Sequence, residues 1–129
     1  MADAEREAWI TGIGIVSCLG EGLDAHWQGF NAGEPRPNLT SFAPRIVHSI
    51  APLDLDKQIP KKGDQRQMEP WQRIGVYAAG LALDSAGLKG NPELLSRTDM
   101  IVCADSSSRC TRSVGSSLVK RLSAFEKLT

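Results

Sequence analysis

Residues 9–20 read WITGIGIVSCLG. Ile10, Thr11, Ile13, Ile15 and Val16 favour extended backbone, so residues 8–16 are predicted to form a strand. The run is apolar on both faces, as in a parallel strand covered on both sides. Gly12 and Gly14 weaken such a strand unless another backbone comes close to it. The same glycines begin a Gly-x-Gly-x-x-Gly pattern. A dinucleotide fingerprint places those glycines in the turn after a strand. Here Gly12 and Gly14 lie within the predicted strand, and Ser17 stands in the third glycine's place. Nucleotide binding is therefore disfavoured, and the glycines are read as close-approach positions. The SCLGEG that ends at Gly22 is predicted to turn the chain.

Outward from this stretch, residues 22–32 (GLDAHWQGFNA) carry Leu23, Trp27 and Phe30 at i, i+4 and i+7, one face of a helix. Gly33 is placed to cap it. A loop with Pro and Asn follows, then a short strand candidate at residues 45–50. Residues 51–68 form a polar connector bearing Lys57, Lys61, Lys62 and Arg66. Residues 69–86 give the strongest helix prediction. Pro70 suits the first turn, and Trp71, Ile74, Ala78, Leu81 and Ser85 make one stripe. Gly75, Ala79, Gly80 and Ala82 admit a closely packed neighbour, so this helix is expected to be buried. Gly87 and Leu88 resemble a Schellman stop. Residues 98–104 are an apolar strand candidate. The order β-α-β-α-β implies an α/β layer with a parallel sheet. From Asp105 onward the chain is rich in Ser and Arg. A terminal helix over residues 115–128 would carry Leu118, Leu122 and Phe125 on one face.

The 129 residues are 41% hydrophobic and 23% charged, which fits one soluble domain. Fifteen basic and fifteen acidic side chains leave a formal net charge of zero, so no global field draws the chain to nucleic acid or a membrane. No apolar run reaches the roughly 18 residues of a spanning helix. MADAEREAW lacks the apolar core of a signal peptide, and a cytoplasmic location is expected. Cys18, Cys103 and Cys110 are odd in number and contain no Cys-x-x-Cys pair, so neither zinc site nor disulfide framework is indicated. Arginines flank Cys110, but a nucleophile also needs a base and an oxyanion site. The histidines, His26 on a helix and His48 on a strand, lie far upstream. All three thiols are read as buried or idle, His26 as a half-exposed helix residue. The basic connector is read first as a solvated loop, and second as a docking patch for an acidic partner.

Two blocks together resemble the β-ketoacyl-acyl-carrier-protein synthases, condensing enzymes of thiolase-like fold. The family opening is approximately V-T-G-[ILM]-G-x-x-[ST]-x-x-G, then a Trp-bearing helix and a glycine. Thr11, Gly12, Gly14, Ser17, Gly20, Trp27 and Gly33 match it. The second block, QRQMEPWQRIGVYAAGLALDSAGL, is similar to a family segment through Arg66, Met68, Gly75, Ala78, Ala82, Ala86, Gly87 and Leu88. RTDMIVCA fits the strand that follows. The likeness covers residues 6–104, taken as part of a synthase N-terminal domain, and stops before residues 105–129.

The resemblance implies a partial thiolase-like layer and decarboxylative condensation of acyl thioesters in fatty-acid synthesis. It implies no cofactor or metal, an acyl carrier protein as partner, and homodimers among full-length relatives. The family's acyl-accepting cysteine and two histidines belong to segments beyond the matched blocks. Cys18, Cys103 and Cys110 do not occupy the nucleophile's motif, so no catalytic residue is carried over and the chain alone is expected to be inactive. The alternative is a non-catalytic carrier-binding module. In bacterial members, basic residues just before the Met of the second block dock the carrier. Arg66 matches such a position and Lys61 and Lys62 lie beside it, while Gln67 replaces a residue that is often basic. The tail from Asp105 fits translation out of frame or a natural short cap.

Overall fold

The computed structural model describes residues 7–33 and 37–101. The chain divides into two compact units, Met1–Gly87 and Leu88–Thr129. The first holds a two-stranded antiparallel hairpin, β1 (Val16–Ser17) and β2 (Gly20–Glu21), followed by α1 (Gly22–Ala32), α2 (Lys62–Gln67) and α3 (Pro70–Ser85). A 3-10 turn at Leu55–Lys57 precedes α2. The second unit contributes α4 (Pro92–Ser96) to the described residues. These elements make a small mixed fold of helices with one short hairpin, compatible with part of an α/β layer.

Local signals set the helix ends. Gly33 caps α1 in the left-handed conformation (φ 63°) and its N–H returns to the Phe30 carbonyl. At the start of α3, Pro70 takes the first turn, where its missing N–H costs nothing. Glu69 and Gln72 form a reciprocal capping box there. Gly87 leaves α3 with φ 68°, as a helix stop requires. Asn91 caps α4 by accepting from the Leu94 N–H at 3.1 Å.

The glycine-rich stretch behaves as a close-approach segment. A methyl group on Gly14 would lie 1.9 Å from the Ala78 carbonyl oxygen and 2.6 Å from the Ala82 nitrogen. On Gly12 it would lie 2.4 Å from the Ala82 carbonyl oxygen and 2.7 Å from Ala86 Cβ. Residues 12–14 thus run against the Ala78–Ala82–Ala86 lane of α3, backbone on backbone. On a neighbouring face of α3, Gly80 lies under Gln58, whose Oε1 would be 2.1 Å from an added Cβ. Tyr77 is fully buried, and Ile59 and Gln58 are 3% and 4% exposed.

Four expectations are corrected. Residues 8–15 are not a strand: only Val16 and Ser17 join a ladder, antiparallel rather than parallel. Strand status requires a neighbour to exchange ladder bonds, and this stretch packs instead on a helix, with the Ile13 N–H donating to Ser85 Oγ at 3.4 Å. Residues 45–50 form a single bridge, Asn38 with Val47. The Asn38 side chain accepts from the Thr40 and Ser41 N–H groups, which turns the chain away after one pairing. Residues 98–101 are likewise outside any strand, and 102–104 lie outside the described residues. The Leu23–Trp27–Phe30 face of α1 is exposed, with Trp27 at 70% and Phe30 at 73%. Periodicity located the apolar face correctly, but α1 turns its His26 and Gly29 side inward, where Leu19 packs within van der Waals reach of Gly29. The expected burial of α3 holds fully for Tyr77 and Gly80, and most of its remaining apolar residues are half-buried. The 104/105 boundary and the 115–128 helix fall outside the described residues.

Candidate functional site

The basic connector folds into a defined surface. Its anchor is Gln58, which reaches over Gly80 and donates to Asp84 Oδ2 at 2.7 Å. The chain then enters α2 at Lys62. Gln65 ties this helix down, donating to the Ile59 carbonyl and to Asp56 Oδ1, each at 2.6 Å. Lys62 Nζ bridges both Asp56 oxygens at 2.5 and 2.8 Å. These donors, Lys62 first and Gln65 second, hold the Asp56 carboxyl below its ordinary range. Lys61 and Arg66 are exposed and have no ion-pair partner among the described residues. Lys61, Lys62 and Arg66 are therefore brought onto one short helical segment. Lys62 is partly neutralised by Asp56, which leaves Lys61 and Arg66 as its unpaired cations.

A second polar cluster fastens the connector to the hairpin. Glu21 accepts from Lys57 Nζ at 2.7 Å on one oxygen and from the Tyr77 hydroxyl on the other. Lys57 and then Tyr77 hold the Glu21 carboxyl low, outweighing its partial burial. The Lys57 ammonium is raised in turn by the Glu21 carboxylate. Burial first, and the adjoining carboxylate second, push the Tyr77 hydroxyl well above the ordinary tyrosine range. The phenol therefore stays protonated, and the arrangement is a clasp joining β2, the 3-10 turn and α3.

The hairpin also gathers both histidines, a grouping that sequence spacing did not reveal. His26 is 5% exposed, a correction to its expected half-exposure. Its Nδ1 lies 2.7 Å from the Gly22 carbonyl, which can only accept. Nδ1 therefore carries a proton and donates to that carbonyl, and Nε2 lies 2.7 Å from Ser17 Oγ. Ser17 Oγ in turn accepts from the Leu19 N–H at 3.1 Å. Beside it, half-buried Cys18 places Sγ 3.9 Å from His48 Nδ1. Cys18 is therefore neither buried nor without a neighbour; Cys103 and Cys110 lie outside the described residues. Among the described residues, no group of three or more His, Cys, Asp or Glu side chains could hold a metal ion, and no helix is long and apolar enough to cross a membrane.

Comparison with known proteins gives a distant likeness. The chain is 26% identical over 105 residues to a 3-oxoacyl-[acyl-carrier-protein] synthase 2 of Vibrio cholerae. It is 25% identical over 105 residues to the protein of the same name from Vibrio harveyi. Each match covers 77% of this chain and 25% of the relative, so the chain spans about a quarter of the length of the curated relatives it matches. No family model matches, and no solved structure matches. These findings support a distant relationship to the β-ketoacyl synthases of fatty-acid synthesis.

Proposed function

We propose that this chain is a non-catalytic scaffold and docking segment of the β-ketoacyl-acyl-carrier-protein synthase type, which presents α2 to an acidic acyl carrier protein. The observation that carries the reading is the placement of Lys61 and Arg66. They are exposed and unpaired on a helix anchored by Gln58 and Gln65, in the block where the resemblance puts carrier docking. Cations at a rim steer association and add affinity without fixing chemistry. The close run of residues 12–14 over α3 supports a partial thiolase-like layer, in which extended backbone lies against a small-residue helix. The exposed Trp9, Ile10, Trp27 and Phe30 support a scaffold that is covered in a larger assembly. No acyl-enzyme is expected on this segment, since no cysteine here occupies the family nucleophile's motif.

The test is an anisotropy titration of fluorescently labelled acyl carrier protein with the full chain. Lys61→Glu and Arg66→Glu should each weaken binding about threefold to tenfold at low salt, with the difference shrinking as salt rises. Equal binding by the wild type and the double charge reversal would overturn the assignment of this face.

A further inference from the structure

We propose that Cys18 and His48 form a thiol–imidazole pair that makes Cys18 a site of mixed-disulfide formation with small-molecule disulfides. The two residues are 30 positions apart and come from separately anchored elements. Cys18 is the first residue of the two-residue turn between Ser17 and Gly20, which pair across the hairpin. The Ser17–His26–Gly22 relay holds that turn from below. His48 follows Val47, which is pinned to Asn38 by bonds of 2.7 and 3.3 Å. Each partner thus sits next to a fixed backbone position, and the sulfur faces the imidazole nitrogen at 3.9 Å. His48 is exposed and Cys18 half-buried, so a small reagent can reach the pair.

The local chemistry selects the reaction class. Nucleophile and base within hydrogen-bond reach are the first requirement of thiol chemistry. Acyl transfer further needs amide donors aimed at a developing oxyanion. The turn's Leu19 N–H is already taken by Ser17 Oγ. Thiol–disulfide exchange develops no oxyanion and needs only a thiolate and a place for its proton. The Cys18 S–H passes its proton to His48 Nδ1, and the sulfur attacks one sulfur of the disulfide. A new S–S bond forms as the old one breaks. The second sulfur leaves with the electron pair and takes up the proton from His48. Cys18 is oxidised and one thiol is released in reduced form. Ser17 is not the reactive group, because its base is buried and its oxygen is engaged by both His26 and Leu19.

The test uses the full chain with oxidised glutathione, following the Cys18 adduct by peptide mass mapping, with Cys18→Ser to confirm the assignment. At pH 7 the wild type should form the Cys18 adduct on the order of tenfold faster than His48→Gln. The ratio should approach one at pH 10, where a thiol ionises without help. His48 is exposed, so the variant is expected to retain the wild-type far-ultraviolet dichroism, which is checked alongside. A ratio near one at pH 7 would overturn the pairing. A ratio that persists unchanged at pH 10 would also overturn it, since it would reflect access alone.

Discussion

Replacing Gly14 with alanine tests the packing of the extended stretch on α3. The added methyl carbon would lie 1.9 Å from the Ala78 carbonyl oxygen, whereas real contacts of this kind essentially never fall below 3.0 Å. The segment must retreat by about 1.1 Å, and a gap of that size forfeits a quarter to a half of each contact's attraction. The obstructing atoms belong to the helix backbone, so no rotamer change relieves the clash. Overpacking of this kind costs about 1–3 kcal/mol, and the rigid neighbour places Gly14→Ala near 3 kcal/mol. Gly12→Ala meets the Ala82 carbonyl at 2.4 Å and should cost about 2 kcal/mol. Gly75 is the internal control. It sits in α3 with nothing within 4 Å of an added Cβ, so alanine there should stabilise the helix by about 0.8–1 kcal/mol. Urea unfolding followed by tryptophan fluorescence and far-ultraviolet dichroism measures all three. If Gly12→Ala and Gly14→Ala unfold at the wild-type midpoint, the close approach is wrong.

Two further predictions concern the clasp. Tyr77→Phe removes a buried donor to Glu21 and should lower stability by about 1–2 kcal/mol, read from the same urea curves. The pH profile should fall at both ends. Glu21 and Asp56 are held below their ordinary values, so the unfolded chain takes up protons first on acidification, and stability drops as pH falls below about 4.5. Tyr77 is raised, so above pH 10 the unfolded chain releases a proton that the folded chain keeps. Stability should then decline by about 1.4 kcal/mol per pH unit, and Tyr77→Phe should lose this tyrosine contribution.

Helix ends were legible because they depend on near neighbours. Gly33, Pro70 and Gly87 each impose a backbone rule that the sequence carries locally. Gly12 and Gly14 were legible as close-approach positions, but their partner, the Ala78, Ala82 and Ala86 backbone, was not. Strand assignments failed where pairing partners, rather than propensity, decide the outcome. Helix α2 has no apolar periodicity; its sequence is KGDQRQ, and it is held by Gln65 and Lys62 reaching back to Asp56 and Ile59. The candidate site was partly legible. Lys61 stands just before α2 and Lys62 and Arg66 lie within it, but the Lys62–Asp56 pair could not be read from composition. The hairpin's histidine pairs were hidden, since Ser17–His26 crosses a turn and Cys18–His48 spans two elements.

The proposed role of α2 is to meet an acidic carrier protein. Nuclear magnetic resonance on the full chain labelled with nitrogen-15, titrated with unlabelled acyl carrier protein, tests it residue by residue. If α2 has that role, amide shifts concentrate at residues 61–67, progressive with added carrier and suppressed by salt. Shifts centred on the exposed Trp27 and Phe30 face, with residues 61–67 unmoved, would contradict it.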